Sequence, residues 1–196
     1  FLLLACALAA SADTIEAFGH KWSVPIAADW KLENGVLHLQ VARPQTAPRR
    51  PSQFALAETT DWQKVTVEAE VKRVEGSLII VYAYRDAAHF NYVHLSHDTG
   101  MKQPVHNGIF HVYGGDRVRI SSERGPAALP SADEWYQVKV DYDGVTGTVT
   151  AKINGADLPA LKAVDMSLGS GKVGIGSFFQ TAFFRNVKIS ETPAQP

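Results

Sequence analysis

Lys64-Val65-Thr66-Val67-Glu68-Ala69-Glu70-Val71-Lys72-Arg73 decides the architecture. Val65, Val67, Ala69 and Val71 fall on one parity, and Thr66, Glu68, Glu70 and Lys72 on the other. That is the period-two pattern of a strand with one dry face and one wet face. Trp135–Asp143 repeats it, with Tyr136, Val138, Val140 and Tyr142 pointing inward. A sheet that is dry on one side needs a second layer over that side. Outward from these two strands the chain continues as short apolar runs punctuated by Gly, Pro, Asn and Asp. The runs are Val36–Val41, Gln53–Ala57, Ser77–Arg85, Phe90–Ser96, Val105–Tyr113, Arg117–Ser121, Gly147–Ile153, Lys172–Ser177 and Ala182–Ile189. Glu33-Asn34-Gly35, Asp143-Gly144 and Asn154-Gly155 supply the positive φ of tight hairpins. Arg43–Ser52 holds three prolines and reads as a loop, and Leu158–Val164 is the best helical candidate. The pattern predicts an all-β, two-sheet antiparallel jelly-roll sandwich occupying residues 13–192 as one domain, with 193–196 a tail.

Composition narrows the function classes. The 196 residues are 45 % hydrophobic and 20 % charged, with a net charge of −1. Such a chain offers no field for nucleic acid or an anionic membrane surface. A chain of this length buries enough surface to stand without disulfides or metal, and a monomer is expected. Residues 1–12 read as an export signal lacking a start Met and a basic leader. Phe1–Ala10 is its apolar stretch and Ala10-Ser11-Ala12 a small-residue cleavage site. The domain is therefore expected to be secreted or periplasmic. Lipoprotein attachment through Cys6, in Leu3-Leu4-Ala5-Cys6, is the alternative. No stretch approaches the roughly 18 apolar residues of a membrane span.

Region 77–120 departs from simple alternation. If Ile79, Val81, Ala83, Val93, Leu95, Phe110, Val112, Val118 and Ile120 form the core side, the opposite face collects Tyr82, Tyr84, Tyr92, His94, Asn107, His111, Tyr113, Arg117 and Arg119. Five of the seven histidines (His89, His94, His97, His106, His111) lie in this region. Such a face can stack sugar rings and hydrogen-bond their hydroxyls. His94 and His111 are the candidate catalytic bases, and the tyrosines, Asn107, Arg117 and Arg119 the candidate substrate contacts. His106 falls on the core parity and reads as structural.

Other constellations lead elsewhere. Glu68 and Glu70 share a face roughly 7 Å apart by the strand rise, a spacing that glycosidase carboxylates use. They lack a central Asp and read as a solvated strand face. No metal-ligand spacing and no cofactor motif occurs, although Asp98 and Asp116 could hold a rim calcium. Gly169-Ser170-Gly171-Lys172 lacks a phosphate-loop frame and reads as a turn.

Several segments resemble the concanavalin-like, laminin-G-like sandwich superfamily: Glu33–Leu37, Asp61–Lys72, Trp135–Val140, Gly171–Gly176 and Phe184–Ile189. Their order is most similar to the secreted bacterial 3-keto-disaccharide hydrolase domains, over about Trp30 to Ile189. Two phrases depart from that pattern, Phe18-Gly19-His20-Lys21-Trp22 and Glu75-Gly76-Ser77-Leu78, and no catalytic residue carries over by motif. The resemblance implies cleavage of oxidised glycosides. A C3 ketone acidifies the C2 proton, so one base and an enolate stabiliser suffice for elimination, with hydration following. The expected function is a carbohydrate-active sandwich that cleaves glycosidic bonds. The alternatives are a non-catalytic carbohydrate-binding module with Tyr platforms, or a protein-binding scaffold.

Overall fold

A computed structural model describes residues 12–98 and 106–191. The export-signal and Cys6 assignments and the 193–196 tail fall outside the described residues. The chain forms strands β1 (Asp13–Ala17), β2 (His20–Val24), β3 (Trp30–Glu33), β4 (Val36–Leu39), β5 (Gln53–Ala57), β6 (Lys64–Arg73), β7 (Ser77–Asp86) and β8 (His89–Ser96). It continues with β9 (Gly108–Tyr113), β10 (Arg117–Arg119), β11 (Tyr136–Asp143), β12 (Thr148–Ile153), β13 (Ala156–Val164), β14 (Lys172–Ser177) and β15 (Ala182–Glu191). A 3-10 turn, Ala27–Asp29, precedes β3. Eight strands form one sheet in the order β1-β2-β5-β14-β7-β8-β9-β10, and seven form the other in the order β13-β12-β11-β6-β15-β4-β3. Neighbours pair antiparallel throughout, so the predicted two-sheet jelly roll is what the chain adopts.

The core between the sheets holds Val67, Val138, Val140, Tyr142, Val149 and Ile175, as alternation predicts, with Trp22 and Phe184 fully buried beside them. Leu158–Val164 is not helical; it lies within β13. A bulge lies in its pairing with β12, between Thr150 and Lys152, and the adjacent Ala160 and Leu161 are both buried. Two consecutive buried residues interrupt the period of two, which is why the segment reads as helix.

A second buried cluster covers the outer face of the eight-stranded sheet: Phe54, Ile79, Val81, Phe90, Tyr92, Phe110, Val112 and Phe178. The proline-rich loop 43–52 lies against that face. Arg49 accepts a backbone hydrogen bond from Arg117 (2.9 Å), and its own N–H donates to the Asp116 carboxylate (2.6 Å). Thr46, Ala47, Pro48, Arg50 and Pro51 wall a cavity of about 330 Å³ with Phe54, Leu56 and Tyr84. The start of the loop is fixed by Arg43, whose guanidinium makes two 2.6 Å bonds to buried Asp29. That ion pair holds the Asp29 carboxyl below its ordinary range.

Candidate functional site

The predicted single face divides between the two sides of the sheet. Directly paired residues on neighbouring strands share a face. His94 pairs with Gly108 and Tyr92 with Phe110, whereas Asn91 pairs with His111 and Val93 with Ile109. His94 and Tyr92 therefore face outward, and His111 faces the other sheet. On β7 the assignment is inverted: Leu78, Ile80 and Tyr82 enter the inter-sheet core, and Ile79 and Val81 face outward. A bulge between Tyr82 and Asp86, with Ala83 at φ 49°, reverses the register again. Tyr84 thus returns to the outer face although it lies two residues from Tyr82. Gly171 accommodates the bulge, because a Cβ there would stand 2.4 Å from the Ala83 carbonyl carbon.

Tyr82 packs 4.7 Å from Tyr142, ring to ring, and burial pushes its hydroxyl pKa well up. The His111 Nδ1 lies 2.8 Å from the Asn91 Oδ1 and 2.9 Å from an Asp165 oxygen, and Asn91 also donates to Asp165 (2.8 Å). Both neighbours of that nitrogen are acceptors, so it carries the proton, and the trio ties the two sheets together. Tyr113 is exposed and stacks on His111 at 5.5 Å. Buried Asn107 accepts from Ser96 N (2.8 Å) and Ala128 N (3.3 Å) and donates to the Asp98 carbonyl. It is a staple between loops. Arg119 donates to the carbonyls of Asn107, Ser121 and Glu123, which makes it a clamp on the same loops.

A different set converges. A cleft of about 350 Å³ opens at one end of the outer face, lined by Gln45, Arg49, Gly76, Ser77, His94, His97, Asp98, His106, Phe178, Phe179 and Gln180. At its floor His94 is 1 % exposed. Arg117 lies 4.1 Å from the Phe178 ring and 4.6 Å from that of Phe110, and donates to the His94 Nδ1 (3.1 Å) and the Tyr92 hydroxyl (3.3 Å). A guanidinium only donates, so Nδ1 is the acceptor and the neutral ring carries its proton on Nε2. That Nε2–H is buried and has no partner among the described residues. Burial first, then the nearby Arg117 charge, drives the His94 pKa well below its ordinary value.

Asp98 organises the rim. Its carboxylate meets the His106 Nδ1 and the Ser96 hydroxyl (3.1 Å), with the His97 Nε2 at 3.6 Å. His106 was expected in the core; it sits half-buried in the turn before β9, with its ring centre 5.9 Å from that of His94. Gln180 accepts from Ser77 N at 2.5 Å, so its amide NH2 is the group left free. Arg49, Phe178, Phe179 and Gln180 escaped the sequence reading because they lie in loops, where strand parity carries no information. Among the described residues, no group of three or more His, Cys, Asp or Glu side chains is arranged to hold a metal ion.

Fold and cleft together define a class: a concanavalin/laminin-G-like two-sheet sandwich with a polar cleft at one end of a sheet face. Among solved structures, the chain is similar to the carbohydrate binding module CBM66 from Bacillus subtilis, at TM-score 0.63 and 16 % identity, covering 83 % of this chain and 91 % of that one. It is also similar to a protein of Parabacteroides distasonis ATCC 8503 provisionally assigned as a glycosyl hydrolase (TM-score 0.59, 14 % identity, 83 % and 90 % covered). A third is the VIP36 exoplasmic/lumenal domain in a Ca2+/Man3GlcNAc-bound form (TM-score 0.54, 9 % identity, 86 % and 83 % covered). At these identities the likeness is one of fold. No family model matches the chain, and no curated protein matches it by sequence.

Proposed function

We propose that this protein is a carbohydrate-binding sandwich whose ligand occupies the Arg49/His94/Asp98/Phe179/Gln180 cleft. One observation carries the reading: the buried His94 Nε2–H, which has no acceptor among the described residues. A buried donor without a partner costs about 1–3 kcal/mol, a penalty that a ligand oxygen removes. The aromatic rings of Phe178 and Phe179, 4.3 Å apart, offer an apolar wall to the C–H face of a sugar. The fold is shared with a carbohydrate binding module and with a domain in a Ca2+/Man3GlcNAc-bound form, which supports the same reading. The expected stacking tyrosines contribute little: Tyr82 and Tyr92 are 1 % and 0 % exposed. The test is a glycan array followed by calorimetric titration of the wild type and Phe179→Ala. The reading expects saccharide binding that Phe179→Ala weakens at least about tenfold. An array without hits, or binding untouched by the substitution, would contradict it.

A second reading, cleavage of 3-keto-glycosides by a histidine base, has one observation in its favour. The His106 Nδ1 is held by Asp98, the arrangement that orients an imidazole with its other nitrogen basic. His106 fits that role better than His94, whose basic nitrogen receives Arg117, or His111, which faces the other sheet. Turnover of 3-keto disaccharides, lost in His106→Ala while binding persists, is the expected signature. A wild type that binds such sugars without turnover removes this reading.

A further inference from the structure

The cleft has an unequal balance of hydrogen-bonding groups. Its donors toward a ligand are the Arg49 guanidinium, the His94 Nε2–H and the Gln180 amide NH2. Arg49 is exposed and makes no ion pair among the described residues. Its one carboxylate among the described residues, Asp98, is engaged by Ser96 and His106, with His97 3.6 Å away. Asp116 stands nearby on the turn between β9 and β10, with an oxygen bound to the Arg49 backbone N–H. Arg117 adds a fixed positive charge directly behind His94, where it is held between two phenyl rings. The second ring nitrogen of His106 is an acceptor on the opposite wall, so the several hydroxyl donors of a neutral sugar outnumber the acceptors offered here. A group that only accepts matches those three donors, and the unpaired Arg49 guanidinium, with Arg117 behind His94, favours a negative ligand at that wall.

Resting on the carbohydrate-binding reading above, we infer that the cleft selects an acidic sugar, with the carboxylate of a uronic-acid-type residue between Arg49 and His94. The cavity, about 350 Å³, lies at the small end of the range for ligand sites, which suits a terminal residue better than an extended chain. The phenyl wall then takes the ring face while the donors take the carboxylate.

The experiment is calorimetric titration with tri-galacturonate, a neutral glucose trisaccharide and a sulfated trisaccharide, at low and moderate salt, on the wild type and Arg49→Gln. Arg49 is exposed, and its backbone contacts survive the substitution; a thermal melt confirms that the variant folds. The expected result is galacturonate binding at least about tenfold tighter than the neutral sugar, weakening with salt, with most of that preference lost in Arg49→Gln. Equal or tighter binding of the neutral trisaccharide overturns the acidic class while leaving the carbohydrate site standing. Sulfated sugar bound as tightly as galacturonate overturns the carboxylate assignment. Binding of none of the three overturns this inference; the broader glycan array then decides whether the carbohydrate reading falls with it.

Discussion

On the seven-stranded sheet, β11 alternates buried Tyr136, Val138, Val140 and Tyr142 with exposed Gln137 and Lys139, and its outer face meets solvent. On the eight-stranded sheet, Leu78, Ile79, Ile80 and Val81 of β7 are all at 0 % exposure, because one parity fills the inter-sheet core and the other lies under the proline-rich loop. The first sheet has one core and the second has two. A sheet with a wet face announces its orientation through polar residues, whereas a sheet covered on both faces does not. The covered face is also where a polar cleft can hold a buried, neutral imidazole. On the wet face Glu70 is instead paired with Arg185 and Asn186 in the open, at 2.7 and 2.6 Å.

The comparison breaks most readily at the second core. Phe90→Ala, on the outer face, is expected to destabilise by about 3–5 kcal/mol, as much as Phe184→Ala between the sheets. Chemical denaturation measures both, and a cost below about 1 kcal/mol for Phe90→Ala would mean that the outer cluster is not a core.

The loop over that core depends on Asp29 and Arg43. Removing the charge with Asp29→Asn is expected to cost about 1–3 kcal/mol near neutral pH, the smaller range reflecting a partner that is 45 % exposed. The folded pKa of Asp29 is depressed, so its contribution is complete above the ordinary carboxylate range. It is lost as pH falls through the folded value. Melting temperatures from pH 7 to pH 2 should therefore decline less steeply in Asp29→Asn than in the wild type, and parallel declines would contradict this role.

Asn107→Ala is expected to cost about 1–3 kcal/mol by stranding Ser96 N, and to leave any intrinsic ligand contact unchanged. A folded variant with normal stability but lost binding would restore Asn107 as a ligand residue. Smallest of all, Glu68→Gln on the wet face should shift stability by less than about 0.5 kcal/mol.

The same contrast explains what the sequence disclosed. Lys64–Arg73 and Trp135–Asp143 were legible because one parity is charged or polar. β1, β2 and β3 were not, since short strands with much exposed surface, such as Trp30–Glu33, carry little pattern. The inward turn of Tyr82 and the outward turn of Tyr84 depend on the bulge at Ala83, a backbone feature without a residue signature. The histidine-rich region was visible by composition, and His94, Tyr92 and Arg117 do meet on one face. The rest of the cleft is assembled from loops distant in sequence: Ser77 and Gln180 are in contact across 103 residues.

The most direct test uses the two histidines that one sheet carries on opposite faces. Spectra of histidine-labelled protein should show the His94 ring as the Nε2–H tautomer. On saturation with the best saccharide from the array, the His94, His97 and His106 signals should shift, while those of His111, His20 and His38 stay in place. Shifts confined to His111, or a ligand that binds without moving His94, would contradict a site in this cleft.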